Sequence, residues 1–93
     1  HLNGSVYEFW LGLAISYQEL GEVERAIAAY HRSRELKETD PTVDLFLADC
    51  FLHLNVKQEA EDFLHKAKEK MTQEFAYLKP KFRKISKRLK TLS

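Results

Sequence analysis

The fold is decided by the stretch WLGLAISYQELGEVERAIAAY (residues 10–30), whose pattern returns thirty-four positions later in DLFLADCFLHLNVKQEAEDFL (residues 44–64). Self-similarity at a fixed period of this length is typical of helical repeat proteins, in which one repeat is one helix pair. The chain is therefore predicted to be all-α. The matched pairs are Leu13 with Leu47, Ala14 with Ala48, Tyr17 with Phe51, Leu20 with Leu54, Gly21 with Asn55, Ala26 with Ala60, and Tyr30 with Leu64.

Residues with special backbone preferences mark the ends of the predicted helices. Gly21 can take the left-handed conformation that closes a helix, and Asn55 is the next best residue at the same place in the second copy. Asp40 followed by Pro41 favours a helix start, because aspartate caps free amides and proline fits the first turn. We expect four helices, at about residues 6–20, 23–37, 41–54 and 57–71.

Four alanines indicate how closely the helices of each pair approach. Ala14 and Ala26 in the first copy, like Ala48 and Ala60 in the second, lie where two antiparallel helices joined by a tight turn must come together. A larger side chain would push the helices apart, so these alanines are predicted to be buried.

Residues of the first copy have the identity and spacing of a known repeat signature: Trp10, Leu13, Ala14, Tyr17, Gly21, Ala26 and Tyr30. In this respect the chain resembles tetratricopeptide repeat proteins. The second copy departs from the signature at Asp44, where tryptophan is usual, and at Asn55, where glycine is usual. The resemblance implies a tetratricopeptide-repeat superhelix over residues 6–71, with repeats at about 7–40 and 41–71.

A narrower resemblance rests on the runs FWLGLA at 9–14, DP at 40–41, ADCFL at 48–52 and EAE at 59–61. These runs are similar to those of class II type III secretion chaperones, with the chlamydial members nearest. Such chaperones are cytoplasmic keepers of hydrophobic translocator proteins and carry three repeats and an N-terminal helix. The resemblance implies that this chain corresponds to the last two repeats and the C-terminal helix, with a secreted translocator as partner.

Residues 72–93 leave the repeat but have a helical period of their own. We expect a C-terminal helix that covers the open end of the last repeat, as helical stacks require. Pro80 lies inside this segment, so the helix either kinks there or a new helix starts there. The apolar stripe of the helix consists of Phe75, Leu78, Phe82, Ile85, Leu89 and Leu92.

The same segment has seven basic residues against one acidic residue, Glu74, and is predicted to carry a basic surface. A solvated face is the simplest interpretation of this surface. Two more specific interpretations are contact with an acidic protein and contact with an anionic lipid surface. Nucleic acid is disfavoured, because only Phe75, Tyr77 and Phe82 are aromatic here and two of them belong to the apolar stripe, so a stacking platform for bases is poorly supported. The basic surface consists of Lys79, Lys81, Arg83, Lys84, Lys87, Arg88 and Lys90.

The composition is that of one globular domain. The chain has 93 residues, of which 44% are hydrophobic and 31% charged, and it has a single cysteine, Cys50. No internal disulfide can form, which favours a reducing compartment such as the cytoplasm. No stretch approaches the roughly 20 apolar residues of a membrane span. We interpret residues 1–5 as a disordered stub or a cloning remnant.

The sequence predicts no catalytic residues, no metal site and no cofactor. A zinc site or a nucleophile pair could be imagined from Cys50, His53, His65 and Asp49. The chain has only one thiol, however, and that thiol lies at a repeat position where small residues are usual. A buried structural cysteine is the favoured interpretation. Acidic residues at the starts of the second helices match the helix dipole, and no phosphate loop or nucleophile elbow is present.

The resemblance also implies where a partner would bind, because the first helix of each pair lines the concave surface of such stacks. Its apolar strip, Leu11, Ile15, Leu45 and Leu52, would hold a hydrophobic peptide segment. The carboxylate clamp of heat-shock adaptors is absent, since Leu11 and Ile15 stand where those adaptors have lysine and asparagine. The predicted peptide-binding residues are Leu11, Ile15, Gln18, Glu19, Leu45, Asp49, Leu52 and His53.

Two functions therefore remain open on the sequence. One is a peptide-binding chaperone or adaptor that uses the concave strip. The other is an oligomerisation or scaffold module, in which the leucine-rich faces and the 75–92 stripe pair chain to chain, or pack on a further N-terminal repeat.

Overall fold

The computed structural model describes residues 5–91, and the chain is all-helical over this range, without a strand. The prediction of an all-α chain is confirmed, and the first four helices end within one residue of the predicted bounds. Residues 1–4 lie outside the described range, and so does Leu92, the last residue of the predicted apolar stripe. The helices are α1 (Ser5–Glu19), α2 (Val23–Leu36), α3 (Pro41–His53), α4 (Lys57–Lys70) and α5 (Lys79–Thr91), with a 3₁₀ segment, Gln73–Leu78, before α5.

The two turns inside the helix pairs have the same geometry, thirty-four residues apart. Gly21 has φ 84° and Asn55 has φ 62°, as predicted. The Gly21 and Glu22 amides donate to the carbonyls of Gln18 and Tyr17, at 3.0 and 2.9 Å. The Asn55 and Val56 amides donate to Leu52 and Phe51 in the same way, at 2.9 and 2.8 Å. Both turns are thus Schellman motifs, which satisfy the last carbonyls of a helix.

The start of α3 follows the predicted cap. The Asp40 side chain accepts a hydrogen bond from the Thr42 amide at 2.8 Å, and Pro41 is the first residue of the helix. Proline costs nothing there, because the first amides of a helix have no intrahelical partner.

The helices pack in pairs, α1 on α2 and α3 on α4, and α2 packs on α3 to join the pairs. The alanines at the predicted points of close approach, Ala14, Ala26, Ala48 and Ala60, are completely buried. Small side chains there let the rest of the core close around them. The central position of α3 leaves it with little free surface, because α2, α4 and α5 all contact it.

The C-terminal segment packs on α3 and α4 through the stripe that the sequence shows. Leu78, Ile85 and Leu89 are buried, and Phe75 and Phe82 pack partly buried against the same core. Helix α5 begins at Lys79, so Pro80 is in its first turn: a new helix starts there. The preceding 3₁₀ segment contains the break, since Phe75 has φ −105° and ψ 19°.

Asp44 is fully buried, at the position where the first copy has Trp10. Its carboxylate accepts from Arg34 Nε at 2.6 Å and from Lys70 Nζ at 2.6 Å. Arg34 is in α2 and Lys70 is at the end of α4, so one buried carboxylate connects three helices. A buried charge is tolerable only when it is paired in this way.

Within the described part of the chain, no helix has both the length and the apolar character that crossing a bilayer demands.

Candidate protein-interaction surfaces

An inner groove of about 250 Å³ lies between α1, α3 and α5. Ile15 and Phe46 supply apolar surface, and polar or charged groups surround them. This combination of an apolar patch and a few polar groups is typical of binding sites. The residues that line the inner groove are Ile15, Gln18, Glu19, Phe46, Asp49 and Lys81.

Four of the predicted concave residues, Ile15, Gln18, Glu19 and Asp49, meet in this groove. Leu11 precedes Ile15 by one helical turn and is half-buried. His53 is exposed and lies elsewhere, beside Gly21 and Glu22 at the turn end of the pairs.

Leu45 and Leu52 do not form part of an open strip, which corrects the sequence-based expectation. They are 0% and 3% exposed. The reason is the position of α3, which α2, α4 and α5 enclose, so that its leucines belong to the core. The apolar part of the groove is therefore smaller than predicted.

Phe46 also lines the groove, although the sequence pattern did not predict it there. Its ring stacks on Tyr30 with centroids 5.4 Å apart, and the Lys81 ammonium lies 4.6 Å from its centroid. The repeat carried no signal for this residue, because its counterpart thirty-four positions earlier is Gly12. Lys81 was expected on the basic surface, and the packing of α5 brings it to the groove instead.

A chain of polar contacts fixes the wall of the groove across four helices. Tyr30 Oη donates to Gln18 Oε1 at 2.6 Å, and Gln18 Nε2 donates to Asp49 Oδ2 at 2.9 Å. Arg88 Nη1 contacts the other Asp49 oxygen at 3.4 Å. Burial raises the pKa of Tyr30, so its phenol stays a hydrogen-bond donor even at alkaline pH. Connected networks of this kind hold side chains in one arrangement.

A second surface, the outer face of the first pair, surrounds a shallow cavity of about 510 Å³. The Arg32 guanidinium lies 5.4 Å from the Trp10 ring centroid, and Arg25 lies 6.0 Å from that of Tyr17. Phe9 packs edge-on to Trp10 at 5.5 Å and is 62% exposed. The outer face is formed by Trp10, Leu13, Tyr17, Arg25, Ala28, Ala29 and Arg32.

The basic surface of α5 divides into two parts. Lys81 lines the inner groove and contacts Phe46, and Arg88 contacts Asp49, which also lines it. The other five residues are exposed on the rest of the helix: Lys79, Arg83, Lys84, Lys87 and Lys90.

Cys50, considered above as a thiol for chemistry, lies in the core. It is 0% exposed, and burial raises the pKa of its thiol to about 12. A thiol in this state is a poor nucleophile. His65 is on the surface, 3.2 Å from Glu69. Among the described residues, no three His, Cys, Asp or Glu side chains are grouped closely enough to hold a metal ion.

No protein-family model, curated protein or solved structure matches the chain.

Proposed function

We propose that this protein is an interaction module of the tetratricopeptide type, which holds a segment of another polypeptide in the inner groove. The repeat assignment is supported by the thirty-four-residue register, which recurs in the two Schellman turns and in the buried alanines. Such geometry at a fixed spacing is what a pair of stacked repeats requires.

The observation that carries the binding proposal is the groove itself. Apolar surface from Ile15 and Phe46 is adjacent to the Glu19 carboxylate and the Lys81 ammonium. An extended or helical segment can place an apolar side chain on this apolar surface and pair its polar groups with the carboxylate and the ammonium. The hydrogen bonds that connect Tyr30, Gln18, Asp49 and Arg88 already order the side chains of the groove wall. Few of these side chains therefore lose conformational freedom when a segment binds.

The partner proposed for the groove is a hydrophobic segment of a type III translocator, and the compartment is the cytoplasm. The support is the resemblance of the runs at 9–14, 40–41, 48–52 and 59–61 to class II secretion chaperones. The apolar area of the groove is smaller than the sequence predicts, and this limits the length of the segment that we propose. A short segment with one or two apolar anchors fits the groove better than a long hydrophobic stretch.

The test uses fluorescent synthetic peptides that tile a type III translocator, with binding measured by anisotropy. Ile15→Glu should weaken the best peptide at least about tenfold, because it puts a charge on the apolar patch. Ser16→Glu is the matched control, since Ser16 is exposed on the same helix and does not line the groove. It should bind like the unchanged protein.

Circular dichroism shows whether Ile15→Glu remains folded. If it does not, Glu19→Arg replaces it, because Glu19 is exposed at the groove and its loss should not unfold the chain. Equal binding by the groove variant and the control contradicts the proposal. Failure of every peptide to bind removes the translocator as the partner.

Self-association through the outer face is the second candidate function. Val6 is 59% and Phe9 62% exposed, next to the half-buried Trp10, Leu13 and Tyr17. Exposed apolar surface of this kind is common at protein interfaces. Sedimentation at micromolar concentration should show dimers that Phe9→Glu dissociates and Leu20→Glu, at an exposed position by the turn, does not. A monomer at all concentrations contradicts this candidate.

A further inference from the structure

A second cavity, which we call the basic slot, lies where the end of α4 meets the start of α5. Its volume is about 240 Å³, and it is formed by Met71, Phe82 and the side chains of Lys68, Lys79 and Arg83. The surface inside it is almost wholly apolar. The aliphatic stems of the three basic side chains thus extend the apolar surface, while their charged ends remain in water.

The three cations of the slot have no carboxylate within ion-pair distance among the described side chains, those of residues 6–91. Nearby cations behave differently, since Lys70 pairs with Asp44 and Arg88 with Asp49. No acidic residue occurs between Lys79 and Thr91. The slot therefore combines an apolar floor with an uncompensated positive rim.

The volume limits what the slot can hold. An apolar cavity of about 150 Å³ accommodates benzene. Pockets for drug-sized ligands begin at about 300 Å³. At about 240 Å³ the slot is suited to one side chain of the size of phenylalanine or leucine.

We propose that the basic slot binds an acidic peptide segment of a partner protein. One large apolar side chain of that segment enters between Met71 and Phe82, and flanking aspartates or glutamates pair with Lys68, Lys79 and Arg83. Apolar anchors in pockets supply most of the affinity in such contacts, and the charges supply orientation and speed of association.

A membrane surface fits the same charges less well. Helices that lie in a bilayer interface bury a whole apolar face in the lipid. In α5 the residues of that face, Ile85 and Leu89, are 2% and 8% exposed because they pack into the protein core. The accessible apolar surface of this helix is the floor of the slot, and a cavity of that size fits one side chain rather than the surface of a bilayer.

The slot shares no residue with the inner groove, so this proposal does not depend on the function proposed for the groove. The two can be tested separately on the full chain.

The direct test uses Met71, which is the only methionine in the chain. Protein labelled with ¹³C in the methionine methyl group gives one NMR signal, which reports on the slot. We expect that signal to shift on addition of the peptide Asp-Asp-Phe-Glu-Glu. The matched peptide with alanine in place of phenylalanine should bind at least about tenfold more weakly, because the anchor is lost.

Charge reversal at the rim is the second measurement. Lys79→Glu with Arg83→Glu should weaken the phenylalanine peptide at least about tenfold, whereas Lys84→Glu with Lys87→Glu should weaken it less than about threefold. Both pairs are exposed on α5 and change the charge equally, but only the first pair lines the slot. Binding should also fall as salt rises from low to physiological concentration.

Several results would overturn the proposal. Equal losses in the two double variants would mean diffuse attraction to the helix. Equal affinity for the phenylalanine and alanine peptides, or an unchanged Met71 signal, would mean that the slot is not used. Binding to phosphatidylserine vesicles without binding to the peptide would assign the basic surface to a membrane instead.

Discussion

At the scale of single residues, Asp44 is the one charged side chain of residues 6–91 that is buried. The carboxylate is completely buried, and the two cations that pair with it, Arg34 and Lys70, keep 26% and 20% of their side chains exposed. The desolvation of one carboxylate is thus offset by two short, charge-assisted hydrogen bonds. This ionic contact stands thirty-four residues after Trp10, at the corresponding place in the second copy.

Replacing Asp44 should therefore destabilise the fold. Asp44→Asn keeps the shape but leaves two cations without a counter-charge, and we expect the free energy of unfolding to fall by about 3 kcal/mol. Urea denaturation measures the change. The control is Asp62→Asn, at an exposed position whose only side-chain hydrogen bond, among the described residues, is from Gln58 at 3.2 Å. Equal midpoints for the two variants would show that the buried contact does not stabilise the protein.

Cys50 should be unreactive in the native protein. Because burial raises its pKa to about 12, hardly any thiolate exists at pH 8, and a thiol reagent should react at least about a hundredfold more slowly than in urea. The same shift makes stability depend on pH. The unfolded thiol ionises above its model value of 9.0 while the native thiol keeps its proton, so this contribution to stability is lost as pH rises from about 9 towards 12.

The reaction is followed with a chromogenic disulfide, with and without denaturant. A rate in the native state close to that of the unfolded chain would contradict the buried environment of Cys50.

At the scale of elements, the two described glycines have opposite roles. Gly12 is exposed inside α1, and Gly21 closes that helix with φ 84°. A Cβ atom at either residue would meet nothing within 4 Å, so neither is required for space. Only the backbone conformation distinguishes them.

Alanine substitutions should consequently have opposite signs. Gly12→Ala should raise the free energy of unfolding by about 0.5–1 kcal/mol, because alanine loses less backbone entropy in a helix. Gly21→Ala should lower it by about 1–2 kcal/mol, because a Cβ atom strains the left-handed conformation. Thermal denaturation of both variants measures the two changes in the free energy of unfolding. A stabilising effect at Gly21 would mean that the turn can be rebuilt without positive φ.

At the scale of the whole molecule, the C-terminal helix is connected to the first pair through side chains. Arg88 contacts Asp49, which accepts from Gln18 in α1, and Asp44 links α2 with α3 and α4. These contacts favour unfolding of the five helices as one unit rather than pair by pair.

Trp10 makes this testable, because it is the only tryptophan and lies in α1, in the pair that does not carry α5. Leu89→Ala removes a buried side chain of α5 and should cost about 2–5 kcal/mol. We expect the Trp10 fluorescence transition and the circular dichroism transition to shift together. Lys90→Ala, at an exposed position, should shift neither. A Trp10 transition that stays at its original midpoint would indicate independent unfolding of the pairs, as in one-dimensional repeat arrays.

The sequence by itself determined the first four helices, their ends and the spacing of the two pairs. These features depend on local preferences: Gly21 and Asn55 close helices, Asp40 and Pro41 open one, and apolar side chains recur at the helical period. Four of the eight predicted binding residues also line the inner groove, since the position of a side chain on its own helix is a local property.

Only the tertiary structure decided which of those side chains remain accessible. Leu45 and Leu52 are buried because α2, α4 and α5 enclose α3. Lys81 reaches the groove beside Phe46 because α5 packs on α3, a contact between segments far apart in the chain. The same packing forms the basic slot from the end of α4 and the start of α5. The surface that a helix keeps depends on its neighbours, and neither the period nor the spacing of the sequence specifies how the last helix settles on the others.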